Sequence, residues 1–196
     1  KNMSGIIGDN VGRSGGLIKA VSVSAGLNLV HSTTNTSTVS SISLDNIFTS
    51  DYDLYLIHGY NIIHDSGSQG QAYIIKSSDG SNDTGSNYQT VRQYANQAGN
   101  TGVVDYSASQ NRIIMQYDND SGRMGSFTAY IYNPLSTAYD KHFYGESNVN
   151  DSSNIRFTRW TGTYKVSGTA VRGIYYFPSA GNCTHAEFRV YGLSTS

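Results

Sequence analysis

The chain has 196 residues, a formal net charge of −1, and 16 Tyr, 6 Phe and 1 Trp. A pI near 6.6 leaves no electrostatic footprint for DNA or RNA. No apolar run approaches the roughly 20 residues of a membrane-spanning helix, and no charged-then-apolar signal peptide opens the chain. The single Cys183 excludes an internal disulfide and a multi-cysteine zinc site. Only 37% of the residues are hydrophobic and 14% charged. Low hydrophobicity without high net charge, and with many aromatics, describes a folded chain whose core leans on rings.

The chain opens on Lys1 and is expected to be a processed product or part of something longer. Residues 1–16, KNMSGIIGDNVGRSGG, hold five glycines and no sustained period. They read as a linker, or as an arm ordered only against a partner. One domain is expected over residues 17–196. Val21, Val23, Ala25, Leu27 and Leu29 alternate with small or polar residues, as do Tyr55, Ile57 and Gly59 with Leu54, Leu56 and His58. Further strands are predicted at 72–75, 103–106, 113–117, 127–132, 155–164, 171–177 and 187–193. Residues 89–98 carry Val91, Tyr94, Ala95 and Ala98 at helical spacing, so a short helix competes there. Asp79-Gly80 marks a turn, and Asp120-Ser121-Gly122 reads as a hairpin between the strands at 113–117 and 127–132. Pro134 and Pro178 each follow a strand, where a missing N–H does least harm. The expected fold is all-β: a jelly-roll-like sandwich of two antiparallel sheets with at most one short helix.

Chemical motifs are sparse. Gly12-Arg13-Ser14-Gly15-Gly16 fits a nucleophile-elbow pattern but lacks the strand before and helix after it. His58 and His64 lie six apart in one strand and would share a face; exposed imidazoles explain them without catalysis. Asp118-Asn119-Asp120 begins like a calcium loop, but Gly122 already stands at the fifth place and a turn accounts for it. The cluster Asp79–Asp83 reads the same way, so no metal and no cofactor is expected. Sequons at Asn2, Asn35, Asn82, Asn119, Asn150 and Asn182 follow largely from composition. In the run 156–164, alternation puts Arg156, Thr158, Trp160 and Tyr164 on one face. That set suits either stacking on a sugar ring or packing of Trp160 in the core or between subunits.

Two stretches carry a resemblance. Ile42 to Ile57 contains Phe48, Tyr52 and Tyr55 around a strand-turn-strand. Ala170 to Leu193 contains Val171, Gly173, Ile174, Tyr176 and Phe177, then Phe188, Val190, Tyr191 and Gly192. Both resemble the β-jelly-roll domain of tailed-bacteriophage virion proteins, of the tail-fibre or capsid-decoration type found in marine and cyanobacterial phages. His185-Ala186-Glu187 departs from that pattern by an extra charge. The resemblance implies a non-enzymatic structural or adhesin module on the phage particle surface. It also implies a homotrimer, attachment to other virion proteins through residues 1–16, and contact with a host cell-surface glycan. On the residues themselves, Phe48, Tyr52 and Tyr55 would form an aromatic corner. Val171, Gly173, Tyr175 and Phe177 would share one face, and that strand would pair with the last through a turn at Ser179–Asn182. The alternative functions are a carbohydrate-binding module of a secreted or cell-surface protein, and a hydrolase or lyase with converging carboxylates.

Overall fold

The computed structural model describes residues 26–96, 101–151 and 154–193. Its twelve strands are β1 (Leu27–Asn35), β2 (Ile42–Leu44), β3 (Leu54–His64), β4 (Ser68–Lys76), β5 (Tyr88–Asn96), β6 (Thr101–Gln110), β7 (Ile113–Asn119), β8 (Met124–Tyr132), β9 (Lys141–Asp151), β10 (Asn154–Tyr164), β11 (Val171–Pro178) and β12 (Cys183–Leu193). They form two antiparallel sheets, one of eight strands in the order β1-β12-β3-β8-β9-β10-β5-β6, the other of four in the order β2-β11-β4-β7. The chain is therefore an all-β sandwich, as the strand-and-turn texture predicts. The arm 1–16, and Val21 to Ala25, lie outside the described residues.

The inner faces are aromatic. From the large sheet come Tyr55, Phe127, Phe143, Trp160, Tyr164 and Phe188, all buried, and Tyr176 answers them from the small sheet. The Tyr176 ring sits 5.3 Å from Phe188 and 6.0 Å from Phe127. Alternation in β12 buries Ala186, Phe188 and Val190 and turns Glu187, Arg189 and Tyr191 outward, as expected. The corner also forms: Tyr55 lies edge-on to Phe48 at 4.8 Å and to Tyr52 at 5.8 Å. The Tyr55 hydroxyl donates to the Thr49 carbonyl at 2.8 Å and accepts the Thr49 N–H at 2.7 Å.

The two stretches that carry the resemblance pack on each other. β2 pairs with β11, and β3 with β12. Arg172 makes a bidentate pair with Asp45, at 2.7 and 2.6 Å. Gly173 and Gly192 of the closing stretch are close-approach positions. A Cβ on Gly173 would stand 2.1 Å from the Leu44 carbonyl oxygen, and one on Gly192 would stand 2.2 Å from the Tyr52 ring.

Several local expectations are corrected. Residues 88–96 are strand β5, held between β10 and β6, so ladder bonds on both sides override the helical spacing. The turn at Asp120–Gly122 does not close a hairpin: β7 belongs to the small sheet and β8 to the large one. The Ser179–Asn182 turn likewise carries the chain from β11 in one sheet to β12 in the other. Gly122 and Gly181 do take the positive φ (70° and 67°) that sharp turns demand. A register shift at Arg172 breaks the period of β11. Ile174 and Tyr176 then point inward, while Tyr175 and Phe177 face out and stack on Tyr73. Leu27 and Leu29 are exposed, at 53% and 57%, so their alternation marks an outer face.

Replacing Phe188 by Ala empties a site packed by Tyr176 and Phe127. Chemical denaturation should show a loss of about 3–5 kcal/mol. A loss below about 1 kcal/mol would mean the ring is not part of the core.

Candidate functional site

Period-2 alternation in a sheet whose inner face is buried sends the other half of each strand outward. On the eight-stranded sheet those outward residues fall into registered rows. One row joins Leu29, Tyr191, Leu56, Tyr130, Tyr144 and Thr161. Beside it run Leu27, Leu193, Leu54 and Tyr132. The Tyr130 and Tyr144 rings stack at 6.3 Å, and Tyr132 and Tyr144 are exposed. A third row is polar and crosses the sheet as Ser32, Arg189, His58, Thr128, Glu146 and Arg159.

Beyond the polar row the surface dips. A groove of about 490 Å³ is lined by His58, Tyr60, Asn61, Met124, Gly125, Ser126, Asn148, Val149, Asn150 and Ile155. It lies where the β3–β8 register shifts between Gly59 and Ile62. Asn61 takes a φ of 51° at this bulge, a conformation Asn tolerates better than most residues. Its Nδ2 donates to Glu187 Oε1 at 2.7 Å. The Arg189 guanidinium lies 5.3 Å from the Tyr60 ring centroid. Hydrogen bonds from Asn61 and then Tyr60 hold the Glu187 carboxyl below the usual carboxylate range. Burial, and then Arg189, lowers the His58 imidazole, so it is neutral at pH 7.

The face predicted for sugar stacking is turned inward. Thr158 and Trp160 are 2% exposed and Tyr164 is fully buried. Trp160 Nε1 donates to the Met115 carbonyl at 3.1 Å, across to the small sheet. The ring fits because its neighbour on β9 is Gly145, where a Cβ would come within 2.3 Å of it. Tyr164 donates to Asp83 Oδ2 at 2.5 Å. Arg156 is on the same face, 5.7 Å from the Tyr94 ring centroid. These four residues are core and inner-face elements, and the core alternative for Trp160 is the one realised.

His58 and His64 do not share a face. The bulge at Asn61 adds a residue between them, leaving His58 outside and His64 fully buried. Asp79 caps the Ser81 N–H at 2.9 Å, and Asp83 accepts from Gly85 N, Asn87 Nδ2 and Tyr164. The side chains of Asp118 and Asn119 lie outside the described residues, as does Ser14. Burial pushes the Cys183 thiol up to about 11.

Sequence reasoning missed Asn61, Asn148 and Asn150. Asn148 and Asn150 are two of the outward positions of β9, a strand whose Gly, Ser and Asn content disguises its alternation. Compared with known proteins, the chain matches no family model, no curated protein and no solved structure.

His64 sits in a polar chain inside the core. Tyr176 donates its hydrogen to Gln116 Oε1 at 3.2 Å. Its oxygen therefore accepts from His64 Nε2–H at 3.1 Å, leaving Nδ1 to accept from Ser68 at 2.7 Å. Burial lowers this imidazole from 6.5 to about 4. The unfolded chain thus takes up the proton first as pH falls. The stabilisation from neutral His64 is whole above pH 6.5 and drains between 6.5 and about 4, on the order of 3 kcal/mol in all. Urea melts at pH 7, 5.5 and 4.5 should show this slope in the wild type and a flatter one in His64→Gln. Equal slopes in the two proteins would contradict it.

Proposed function

We propose that the chain is a non-enzymatic structural module of a bacteriophage particle, a tail-fibre, adhesin or capsid-surface domain that associates with copies of itself. The observation that carries this reading is the pair of aromatic and aliphatic rows on the outer face of the eight-stranded sheet. Leu27, Leu29, Tyr132 and Tyr144 are each at least 37% exposed and adjoin Leu54, Leu56, Tyr130, Tyr191 and Leu193. Contiguous apolar surface of this kind on a sandwich already holding its own core marks an interaction face. Tyrosine suits such a face because its ring buries area while its hydroxyl keeps a hydrogen bond.

The occupant is a second copy for two reasons. A net charge of −1 sets up little repulsion between identical chains. The rows themselves carry no carboxylate, lysine or arginine, so no ion is stripped of water when copies meet. A closed cyclic oligomer also matches the rotational symmetry of a fibre or a capsid axis, and we take it as a homotrimer. The resemblance of residues 42–57 and 170–193 to phage virion domains points the same way. In this reading, residues 1–16 attach the domain to neighbouring virion proteins.

Four carboxylates of the fold have structural partners. Asp45 holds Arg172, Asp65 holds Asn182, Asp83 holds Tyr164 and Glu187 holds Asn61. This arrangement supports a scaffold more than acid–base chemistry.

Mass photometry of the full chain at micromolar concentration should give three times the 21.3 kDa chain mass. Leu29→Glu combined with Tyr144→Glu should give the monomer mass, with the fold intact by circular dichroism, since both side chains are exposed in the single chain. A monomeric wild type, or a variant of unchanged mass, would overturn the reading.

A further inference from the structure

We propose that the groove beside the β3 bulge binds a short, neutral oligosaccharide. It is a second surface, separated from the apolar rows by the polar row through Arg189, His58 and Thr128.

Its lining chemistry selects the ligand class. Three primary amides, on Asn61, Asn148 and Asn150, border it together with the Ser126 hydroxyl and the His58 imidazole. Each amide offers a donor and an acceptor in one plane, the pattern that adjacent sugar hydroxyls match because each hydroxyl both gives and takes a hydrogen bond. Met124 and Ile155, 56% and 59% exposed, supply apolar surface for the C–H face of a pyranose ring. Among the described residues that line the groove there is no Asp, Glu, Lys or Arg, so a charged ligand would be stripped of water with no partner for its charge among them. A volume of about 490 Å³ lies within the range of small-molecule sites.

The site is also held in place. Asn61 is fixed by its bond to Glu187, which ties up one amide hydrogen and leaves its acceptor and second hydrogen outside that bond. Glu187 is set opposite Tyr60 across the β3–β12 ladder, and Arg189 packs over the Tyr60 ring. The charged pair therefore orients the wall of the groove without entering it. Groups ordered before binding lose less freedom when the ligand arrives.

The test is titration of the ¹⁵N-labelled full chain with maltotriose, chitotriose and the charged control 3′-sialyllactose, read on side-chain amide signals. One of the neutral probes should move the Asn61, Asn148 and Asn150 signals saturably in the low-millimolar range. Asn148→Ala combined with Asn150→Ala should weaken that binding about tenfold or more at an unchanged melting temperature, since both residues are exposed. No movement with either neutral probe, movement with sialyllactose alone, or unchanged affinity in the double variant would overturn the proposal. Neither asparagine belongs to the apolar rows, so the double variant keeps the wild-type mass in mass photometry. Loss of sugar binding and loss of assembly are thereby read separately.

Discussion

Tyr176 is where the two sheets meet. Its ring lies against Phe188 and Phe127 of the large sheet, and its hydroxyl is tied to His64 and Gln116. A phenol inside a core is stabilising only when its oxygen finds a partner. Here one partner comes from each sheet: His64 from β3 and Gln116 from β7. The same solution recurs at the other end. Tyr88 of β5 donates to the Asp83 carbonyl at 2.7 Å and accepts the Ile74 N–H at 3.0 Å, while Tyr164 reaches the Asp83 carboxylate. A chain with few aliphatic residues thus joins its layers by rings whose polar ends are bonded across the gap.

That economy shapes the surface. Rings committed to the interior fix the register of β3, β8, β9 and β10, and a register fixed on one face is fixed on the other. The outward rows follow without further design. Aromatic and aliphatic side chains gather toward Tyr132 and Leu193, charged ones cross the middle, and amides collect beyond the bulge at Asn61. The eight-stranded sheet is the broader of the two layers, and its outer face is where both proposed interactions fall.

Much of the fold is legible in the sequence because a period of 2 is a direct consequence of one buried face. β12 reads correctly to the residue: Ala186, Phe188 and Val190 in, Glu187 and Arg189 out. The failures have a common cause, since pairing partners are not local. The glycine turns at Gly122 and Gly181 are visible, but turn chemistry is the same whether the next strand joins the same sheet or the opposite one. The face of β10 is visible as a set, Arg156, Thr158, Trp160 and Tyr164. Its inward direction is decided by Gly145 on β9, which makes room for Trp160. The amide groove was illegible because it depends on one inserted residue at Asn61, which moves His64 inside while His58 stays out.

If the apolar rows of the large sheet are covered by another copy of the chain, their exposure changes with concentration. Hydroxyl-radical footprinting across a dilution series tests this directly, because it reports side-chain exposure residue by residue. Leu29, Tyr132 and Tyr144 should be protected at micromolar concentration and become reactive on dilution. Met124 and Tyr139, 56% and 71% exposed and outside the rows, should react equally at every concentration. Reactivity of Leu29 and Tyr144 that does not change with concentration, in a sample whose mass shows association, would contradict the claim and place the interface elsewhere.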